Sequence, residues 1–321
     1  MKKITFLLAF VACSLFASAQ LIVSDNFDYT VGAQLKANGW VGTGATPSTT
    51  NPILISSSTL TYASYPGSGV GNEITLMNNG EDLNKSFTAV TSGSLYFSAL
   101  INITAAQATG DYFLHVGDAP TGTTYFGRVY VKQKIGTSNL AFGILRASGG
   151  TNAQSTTFSD SIYSLNTTYL LVAKVDITTG NSSLIINPAI SSTEPTSGWL
   201  NNTLGTTALP TIGFSTVNVR QGSTLTAAAM KIDGVRVGKT WADLFTASGL
   251  STPKASTLEV LVSGKNLLVK NVVEGSTVEI FSAVGSKVQT SSVENGKVSI
   301  ANLKGGMYVV RSGKLTQKIM L

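Results

Sequence analysis

Short runs of β-branched and aromatic residues, separated by Gly, Asn, Ser and Pro, recur along almost the whole chain. One run covers residues 95–103 and is apolar on both faces at its centre, and another covers residues 169–177. A Thr-Gly-Asn turn at 179–181 and a further run at 183–186 follow, which is the pattern of a β-hairpin. No stretch between residues 21 and 237 keeps a helical period for long, so about a dozen strands are predicted there. We therefore expect an all-β fold that begins with a large antiparallel jelly-roll sandwich.

Composition excludes several classes of protein. The chain has 321 residues, 43% of them hydrophobic, which is enough for a sizeable buried core. Only 12% of the residues are charged, about half the usual share, so the surface must consist mainly of Ser, Thr, Asn and Gly. The formal charge of +6 is scattered, without a Lys/Arg run or a basic stripe interleaved with aromatic residues. We therefore expect no nucleic-acid partner.

The first nineteen residues have the pattern of a secretory signal peptide. Lys2-Lys3 forms a positive start, residues 4–15 are apolar, and the small residues 17–19 form a cleavage site between Ala19 and Gln20. The apolar run is too short for a comfortable transmembrane helix, so we expect no membrane span in the mature chain.

The sequence contains one cysteine, Cys13, which lies inside this apolar run. A lipoprotein acylation site there is the alternative to a cleaved signal, although Phe10 stands where such sites carry an aliphatic residue. Cleavage after residue 19 would leave a mature chain that is stabilised without disulfides.

The chain is predicted to divide into a signal peptide (1–19), a jelly-roll domain (20–246), a linker (247–257) and a small C-terminal domain (258–321). The stretch before residue 258 is rich in Ser, Thr and Ala and contains Pro253, which is typical of a linker. In the last domain short strands are predicted at residues 258–262, 267–270, 277–281, 287–289, 297–300, 307–311 and 315–321. Seven strands in about 65 residues indicate a small immunoglobulin-like β-sandwich.

Three segments of the first domain carry a family resemblance: SDNFDYTVGAQLKANGW at 24–40, YLLVAKVDITTGNSSLIINP at 169–188 and IDGVRVGKTWADL at 232–244. Together they resemble the concanavalin A-like lectin and glucanase group, in particular the laminin-G-like jelly rolls of secreted bacterial proteins. The resemblance implies that Trp40 and Trp241 are packing residues. This fold carries lectins, glycanases and adhesins alike, so it assigns no function by itself.

The catalytic pattern of the related glucanases does not occur in this sequence. Those enzymes carry a Glu-x-Asp run on one strand, because alternate residues place their carboxylates on the same face. Here Glu81 and Asp82 are adjacent and are expected in a solvated loop. The lone His115 is expected on a strand, facing solvent or packed with a hydrogen bond, and the glycines at 67–71 lack the Lys-Ser/Thr of a phosphate loop. We therefore expect a non-catalytic protein, with a glycan hydrolase of the glucanase superfamily as the alternative.

Three aspartates form a candidate calcium site. In jelly rolls of the resembled type a structural calcium often lies where the first and last strands meet, and Asp25, Asp28 and Asp233 are placed to supply carboxylate oxygens there. The alternative is that Asp25 and Asp28 cap turns and that Asp233 makes a turn before Gly234. No cofactor other than Ca²⁺ is expected.

Four aromatic residues near loops rich in Gly, Ser, Thr and Pro are the candidate ligand contacts: Tyr62, Tyr65, Tyr125 and Trp199. Exposed Tyr and Trp rings stack on sugar rings in carbohydrate-binding modules. Core packing is the alternative, since aromatic side chains also bury much apolar area.

A tripeptide in a polar stretch, Asp160-Ser161-Ile162, has the Asp-Ser/Thr-apolar pattern of O-glycosylation in Bacteroidetes. Ser161 is therefore a candidate glycosylation site.

The end of the chain carries the most specific pattern. Its features are VEIF at 278–281, Gly285, Val288, an apolar stretch at 298–303, a Gly-Met-Tyr-Val-Val strand at 306–310 and a lysine before an apolar end. They closely resemble the type A C-terminal sorting domain of the type IX secretion system of Bacteroidetes, with the departure that Gly305 stands where Pro or Ser is usual. The resemblance implies that the sorting signal includes Gly306, Tyr308, Val309 and Lys318.

The resemblance also implies a route for the protein. The Sec translocon and the type IX outer-membrane machinery become expected partners, and the protein is expected to be secreted or held at the outer cell surface after passing the periplasm. Removal of the sorting domain near the linker is part of that expectation. The alternative is a terminal sandwich that only stabilises the protein.

The sequence thus favours a secreted or cell-surface binding or adhesion protein that is directed at glycans and exported by type IX secretion. A glycan-binding module predicts aromatic rings in one groove, whereas a purely structural surface protein predicts a polar groove without them. A hydrolase predicts two carboxylates about 5 to 9 Å apart.

Overall fold

The computed structural model describes residues 21–147, 156–204, 207–245, 259–270, 275–300, 302–313 and 315–321. The chain divides into two compact units, Met1–Ser248 and Gly249–Leu321. The predicted signal peptide, with Cys13, Ala19 and Gln20, lies outside the described residues, as does the predicted linker. Within the described ranges, no helix is long and apolar enough to cross a membrane.

The described part of the first unit consists almost entirely of strands. They are β1 Val23–Asp25, β2 Val41–Gly42, β3 Leu54–Ser56, β4 Glu73–Leu76, β5 Leu83–Val90, β6 Ser94–Ala105, β7 Asp111–Gly117, β8 Tyr125–Gln133, β9 Asn139–Ala147, β10 Thr157–Phe158, β11 Tyr163–Ser164, β12 Thr168–Asp176, β13 Ser182–Ile186, β14 Leu200–Asn202, β15 Phe214–Val219 and β16 Ala229–Gly238. A short 3-10 helix, Leu35–Asn38, and a short helix α1, Trp241–Phe245, accompany them.

These strands form two antiparallel sheets. The first sheet has the order β14-β13-β12-β6-β16-β4-β3, with β1 also paired to β16. The second sheet has the order β10-β9-β8-β7-β15-β5-β2, with β11 also paired to β9. Apolar residues of both sheets meet in one main core, which confirms the predicted all-β jelly-roll sandwich.

Strand β6 shows why the first sheet is apolar on both sides. Phe97 and Ile101 lie in the main core, while the alternating residues Tyr96 and Leu100 lie in a second apolar cluster on the outer face of that sheet. This alternation explains the strand that the sequence predicts at residues 95–103, which is apolar on both faces.

The second apolar cluster covers the outer face of the first sheet. Trp241 of α1 is 3% exposed there, with its ring centroid 4.7 Å from that of Phe245 and 5.8 Å from that of Trp199. Trp40, by contrast, lies in the main core, 6.0 Å from the Phe27 ring. Because both Trp40 and Trp241 are buried, each contributes a large apolar area to the stability of this unit.

The described part of the second unit contains seven strands: β17 Glu259–Ser263, β18 Asn266–Lys270, β19 Thr277–Ser282, β20 Lys287–Ser292, β21 Lys297–Ser299, β22 Met307–Ser312 and β23 Leu315–Met320. They form a three-stranded sheet, β17-β18-β21, and a four-stranded sheet, β20-β19-β22-β23. Residues such as Leu267, Val278 and Val310 fill a small core between the sheets. The predicted seven-stranded sandwich is therefore confirmed.

Candidate ligand-binding site

The outer face of the second sheet carries polar and aromatic side chains at its centre. In β8, Val129 lies in the main core, so its neighbours along the strand, including Arg128 and Tyr130, point away from the core. On β7 and β15 the same alternation places His115 and Asn218 on the outer face, where the two residues are direct cross-strand partners. The main core thus positions this group of side chains, because its packing decides which residues remain outside.

Arg128 is the central charge of this face. Its guanidinium carbon lies 4.5 Å from the ring centroid of Tyr112 and 5.4 Å from that of Tyr125. The residue is 8% exposed, and its Nε has no hydrogen-bond partner among the described residues. Cation–π contacts of this kind stabilise by about 0.5 to 2 kcal/mol each, which offsets part of the cost of burying the cation. We call Arg128, Tyr112, Tyr125, Tyr130 and His115 the outer-sheet site.

A second arginine next to the site is neutralised within the protein. Arg220 places Nη1 2.9 Å from Oδ1 of Asp111 and Nε 3.6 Å from Oδ2 of Asp82. Its guanidinium carbon lies 4.2 Å from the ring centroid of Tyr112, so two guanidinium groups contact one tyrosine ring. Among the described residues, carboxylates pair with the guanidinium of Arg220 and not with that of Arg128.

His115 is packed against the tyrosines of the site. Its ring centroid lies 4.4 Å from that of Tyr125 and 5.3 Å from that of Tyr112, and the residue is 1% exposed. Burial, together with the charge of Arg128, holds the pKa of His115 well below its ordinary value. The imidazole is therefore neutral near pH 7, and of the two predicted positions the structure shows the packed one.

Amide side chains extend the same face toward β5. Asn84 donates hydrogen bonds from Nδ2 to Thr43 Oγ1 and to the Pro120 carbonyl, both at 3.2 Å. Asn218 accepts one from Thr43 Oγ1 at 3.3 Å. The Oδ1 atom of Asn84 is buried and has no partner within the described part of the chain. A buried acceptor without a partner is costly, as is the buried Nε of Arg128, so both atoms add to the cost of keeping polar groups on this face.

Trp199 lines an open pocket of about 330 Å³ at the edge of the first sheet. Lys174 and Glu194 in its wall form an ion pair at 2.9 Å, and the Tyr96 hydroxyl donates a hydrogen bond to Glu194. Trp199 itself donates from Nε1 to the Pro195 carbonyl. The pairs that these side chains form with one another satisfy most of the hydrogen-bonding capacity of this pocket.

The two other predicted ligand-contact residues belong to the second apolar cluster. Tyr65 is 3% exposed, and its hydroxyl bonds with Ser98 Oγ and the Gly234 carbonyl, so its ring is not available for stacking on a ligand. Tyr62 is half-buried against the same cluster. Of the four predicted aromatic residues, the structure brings Tyr125 into the outer-sheet site and Trp199 into a separate pocket.

The three candidate calcium ligands are not assembled. Asp25 is buried and accepts a hydrogen bond from Trp40 Nε1 at 2.9 Å, Asp233 is buried and accepts one from the Leu60 N–H at 2.8 Å, and Asp28 is exposed. The described residues contain no group of three or more His, Cys, Asp or Glu placed to hold a metal ion. The calcium site stays a prediction; the oxygens of Asp25 and Asp233 accept hydrogen bonds from protein donors, as the turn alternative expects.

Glu81 also departs from expectation. It is 1% exposed, and its Oε1 accepts a hydrogen bond from the Ile53 N–H at 2.7 Å, so the prediction of a solvated loop was wrong for this residue. Asp82, beside it, is half-buried.

Ser161 is half-buried in a bend between β10 and β11, next to the exposed Asp160 and Ile162. Its glycosylation stays a prediction.

The residues of the predicted sorting signal lie together in the second unit. Val309 and Lys318 are cross-strand partners in the β22–β23 hairpin, and Lys318 is exposed. The Tyr308 hydroxyl donates to the Lys304 carbonyl at 2.9 Å, and the Gly306 N–H donates to the Leu321 carbonyl. Their role as a signal stays a prediction.

Comparison with known proteins gives no family, since no protein-family model matches the chain. A comparison with curated protein sequences gives no match either. Solved structures resemble it at the level of fold. Domain 4 of AbnA, a GH43 extracellular arabinanase from Geobacillus stearothermophilus, in complex with arabinotriose, is 12% identical over 72% of this chain and 98% of that chain, with a TM-score of 0.41. The CBM2 module of the evolved Dit protein of Lactobacillus casei BL23 phage J-1 is 10% identical over 69% and 96%, with a TM-score of 0.38.

A Trypanosoma rangeli sialidase is 11% identical, with a TM-score of 0.36, over 69% of this chain and 36% of its own. The present chain thus spans about a third of that sialidase. At such distances no ligand or activity transfers to this protein.

Most of the outer-sheet site escaped the sequence reasoning. Tyr112, Arg128 and Tyr130 were not among the predicted site residues, and neither was the neighbouring Arg220. A usable signal was present in β8, where Arg128 and Tyr130 alternate with the apolar Val129. A charged residue in the middle of such a strand points either to solvent or to a ligand.

Proposed function

We propose that this protein is a secreted or cell-surface glycan-binding protein without catalytic activity, and that the outer-sheet site is its binding surface. The observation that carries the proposal is the set of half-buried rings around an arginine that no carboxylate of the described residues pairs with. Tyrosine rings offer flat apolar faces for the C–H groups of a sugar. The guanidinium and amide groups beside them offer hydrogen bonds to its hydroxyl groups.

The outer-sheet site is favoured over the Trp199 pocket for an energetic reason. In the pocket, the ion pair of Lys174 with Glu194 and the hydrogen bond from Trp199 Nε1 already satisfy the polar groups. A ligand would have to break these contacts before forming its own. In the outer-sheet site, no carboxylate of the described residues pairs with Arg128, so a ligand can contact this cation without breaking an ion pair.

Asp82 and Asp111 are the best candidates for the pair of carboxylates that a hydrolase would need, because both contact the guanidinium of Arg220. Burial raises the pKa of Asp82, as in a general acid. Yet Asp82 accepts the Gln221 N–H and Asp111 accepts the Thr226 hydroxyl, so both carboxylates act as supports of Arg220. We therefore propose binding without hydrolysis.

A glycan-array screen of residues 20–321, with and without EDTA, tests this function. We expect saturable binding that EDTA leaves unchanged, since Asp25 and Asp233, two of the three candidate calcium ligands, are engaged by protein donors. Tyr125→Ala should weaken binding up to about tenfold, because an aromatic contact contributes about 0.5 to 1.5 kcal/mol. Trp199→Ala is the matched control and should bind like the unchanged chain, and thermal unfolding confirms that each variant folds.

The contrary results are distinct. Loss of binding in Trp199→Ala but not in Tyr125→Ala would move the site to the pocket. A blank array would overturn glycan binding and favour a structural surface protein. Release of reducing sugar from a bound glycan would restore the hydrolase alternative.

We also propose that the second unit is a type IX sorting domain that directs the protein through the outer membrane after Sec-dependent passage. The sequence resemblance supports this proposal, and so does the clustering of the signal residues on one hairpin, where Lys318 is exposed. An exposed lysine is available to a translocon and adds little to the core.

Export is tested in a bacterium that has a type IX system, by measuring the full chain in medium and periplasm. Lys318→Ala should accumulate in the periplasm as a folded protein. Lys297→Ala, an exposed lysine of the same unit, is the matched control and should be exported normally. Equal export of both variants and of a chain lacking the second unit would refute the sorting role.

A further inference from the structure

The outer-sheet site contains a buried positive charge that its own unit does not neutralise. Arg128 is 8% exposed, and within the described residues no carboxylate lies within 4.0 Å of its guanidinium nitrogens. The stretches of this unit that the structure does not describe contain no Asp or Glu at all. No acidic residue of residues 1–248 therefore pairs with Arg128.

The two acidic residues whose charges act on Tyr112 are engaged elsewhere. Asp82 and Asp111 pair with Arg220. On the strand of Arg128 itself, Lys132 adds a further positive charge, with Nζ 3.9 Å from the ring centroid of Phe158. The charges along β8 are thus both positive.

Leaving a guanidinium buried without an acid is unfavourable, because the effective desolvation penalty is several kcal/mol per ion. The rings of Tyr112 and Tyr125 recover only part of it. A cation kept at such a cost is suited to an anionic ligand that supplies the missing charge. Arginine is well matched to this task, since its planar fork meets carboxylate and sulfate oxygens with two parallel hydrogen bonds.

We propose that the outer-sheet site binds acidic saccharides, with the anionic substituent of the sugar on Arg128 and the sugar ring on the tyrosines. This inference rests on the proposed function and adds its ligand class. The shared chemistry is an anionic group on a sugar, supplied either by a uronate carboxylate or by a sulfate ester.

Isothermal titration of residues 20–321 with three ligands tests the proposal. The ligands are an oligogalacturonate, the same oligosaccharide after chemical reduction of its carboxylates to hydroxymethyl groups, and a sulfated galactan oligosaccharide. We expect at least one anionic ligand to bind ten times more tightly than the reduced one. We also expect the preference to shrink with added salt, and the two anionic ligands separate carboxylate from sulfate recognition.

Variants connect the preference to one side chain. Arg128→Gln should bind the anionic and the reduced oligosaccharides equally, whereas Lys132→Gln, which removes a charge from the same strand, should keep the preference. Arg128→Lys keeps the charge but loses the fork, so it should retain a weaker preference, and it serves if the glutamine variant fails to fold. An NMR shift of the Arg128 Nε–Hε signal should accompany the anionic ligand and not the reduced one.

Each contrary outcome has its own meaning. Equal binding of anionic and reduced oligosaccharides, with loss in Tyr125→Ala, overturns the acid preference and leaves glycan binding standing. An unchanged preference in Arg128→Gln overturns the assignment to this residue. If neither neutral nor anionic saccharides bind, this inference and the proposed function both fail.

Discussion

Replacing Arg128 by methionine should make the first unit more stable while removing its preference for anions. The substitution takes away a buried cation that has no acid partner and loses two cation–π contacts of about 0.5 to 2 kcal/mol each. Methionine has a similar reach, and its sulfur packs well against the same rings. Since the desolvation penalty relieved is several kcal/mol, we expect a net gain of about 1 to 2 kcal/mol in the free energy of unfolding.

Arg220→Met is the matched comparison, because both arginines contact the ring of Tyr112. Here the substitution leaves Asp82 and Asp111 without their shared cation. Breaking a buried ion pair from one side is strongly destabilising. Because these groups are partly exposed, we expect the free energy of unfolding to fall by about 2 to 3 kcal/mol, which is less than for a fully buried pair. The two variants should therefore change stability in opposite directions.

Tryptophan fluorescence during urea unfolding measures this difference cleanly. The three tryptophans of the chain, Trp40, Trp199 and Trp241, all belong to the first unit, so their signal reports on that unit alone. The urea midpoint should rise in Arg128→Met and fall in Arg220→Met, with an unchanged dependence on urea concentration. If Arg128→Met instead loses 1 kcal/mol or more, Arg128 supports the fold, and the inference of a charge kept for a ligand is refuted.

Two further predictions concern the fold. Gly71→Ala should destabilise the first unit by about 3 kcal/mol, because φ is +70° there and a Cβ would lie 2.1 Å from the Asn26 carbonyl oxygen. Gly32→Ala, at φ +79° in open space, should lose only about 1 kcal/mol, and equal losses by urea unfolding would contradict the steric argument. Burial raises the pKa of Asp233 from 3.8 to about 7, so the folded protein holds this proton more tightly than the unfolded chain. Its contribution to stability is therefore complete below about pH 4 and is lost as the pH rises through 7. Between about pH 4 and 7 the free energy of unfolding of the unchanged chain should fall relative to that of Asp233→Asn, by up to about 1 kcal/mol per pH unit. If the two chains give parallel curves of stability against pH, the titration of Asp233 does not contribute to stability in this way.

Local pattern determined much of this fold. Alternation and turn residues predicted the hairpin at 169–186, which the structure has as β12 and β13, and all seven strands of the second unit. Such elements follow from residue preferences over a few positions, because β-branched and aromatic runs favour extended backbone and Gly-Asn turns reverse it. The strand predicted at 95–103 is apolar on both faces, and in the structure apolar clusters cover both faces of its sheet.

The candidate site depended on the tertiary structure. Tyr112 lies on β7, Arg128 lies on β8 and Arg220 directly follows β15. They meet because β7 pairs with both β8 and β15. No local signal separates the half-buried Tyr125 from the fully buried Tyr65, because both follow loops rich in small residues. Alternation tells which residues share a face of a strand, but long-range pairing and the segments packed on each sheet decide whether that face is core, cluster or ligand surface. The sequence by itself therefore determined the strands and the class of sandwich, and only the packed sheets decided which charge was left without a partner.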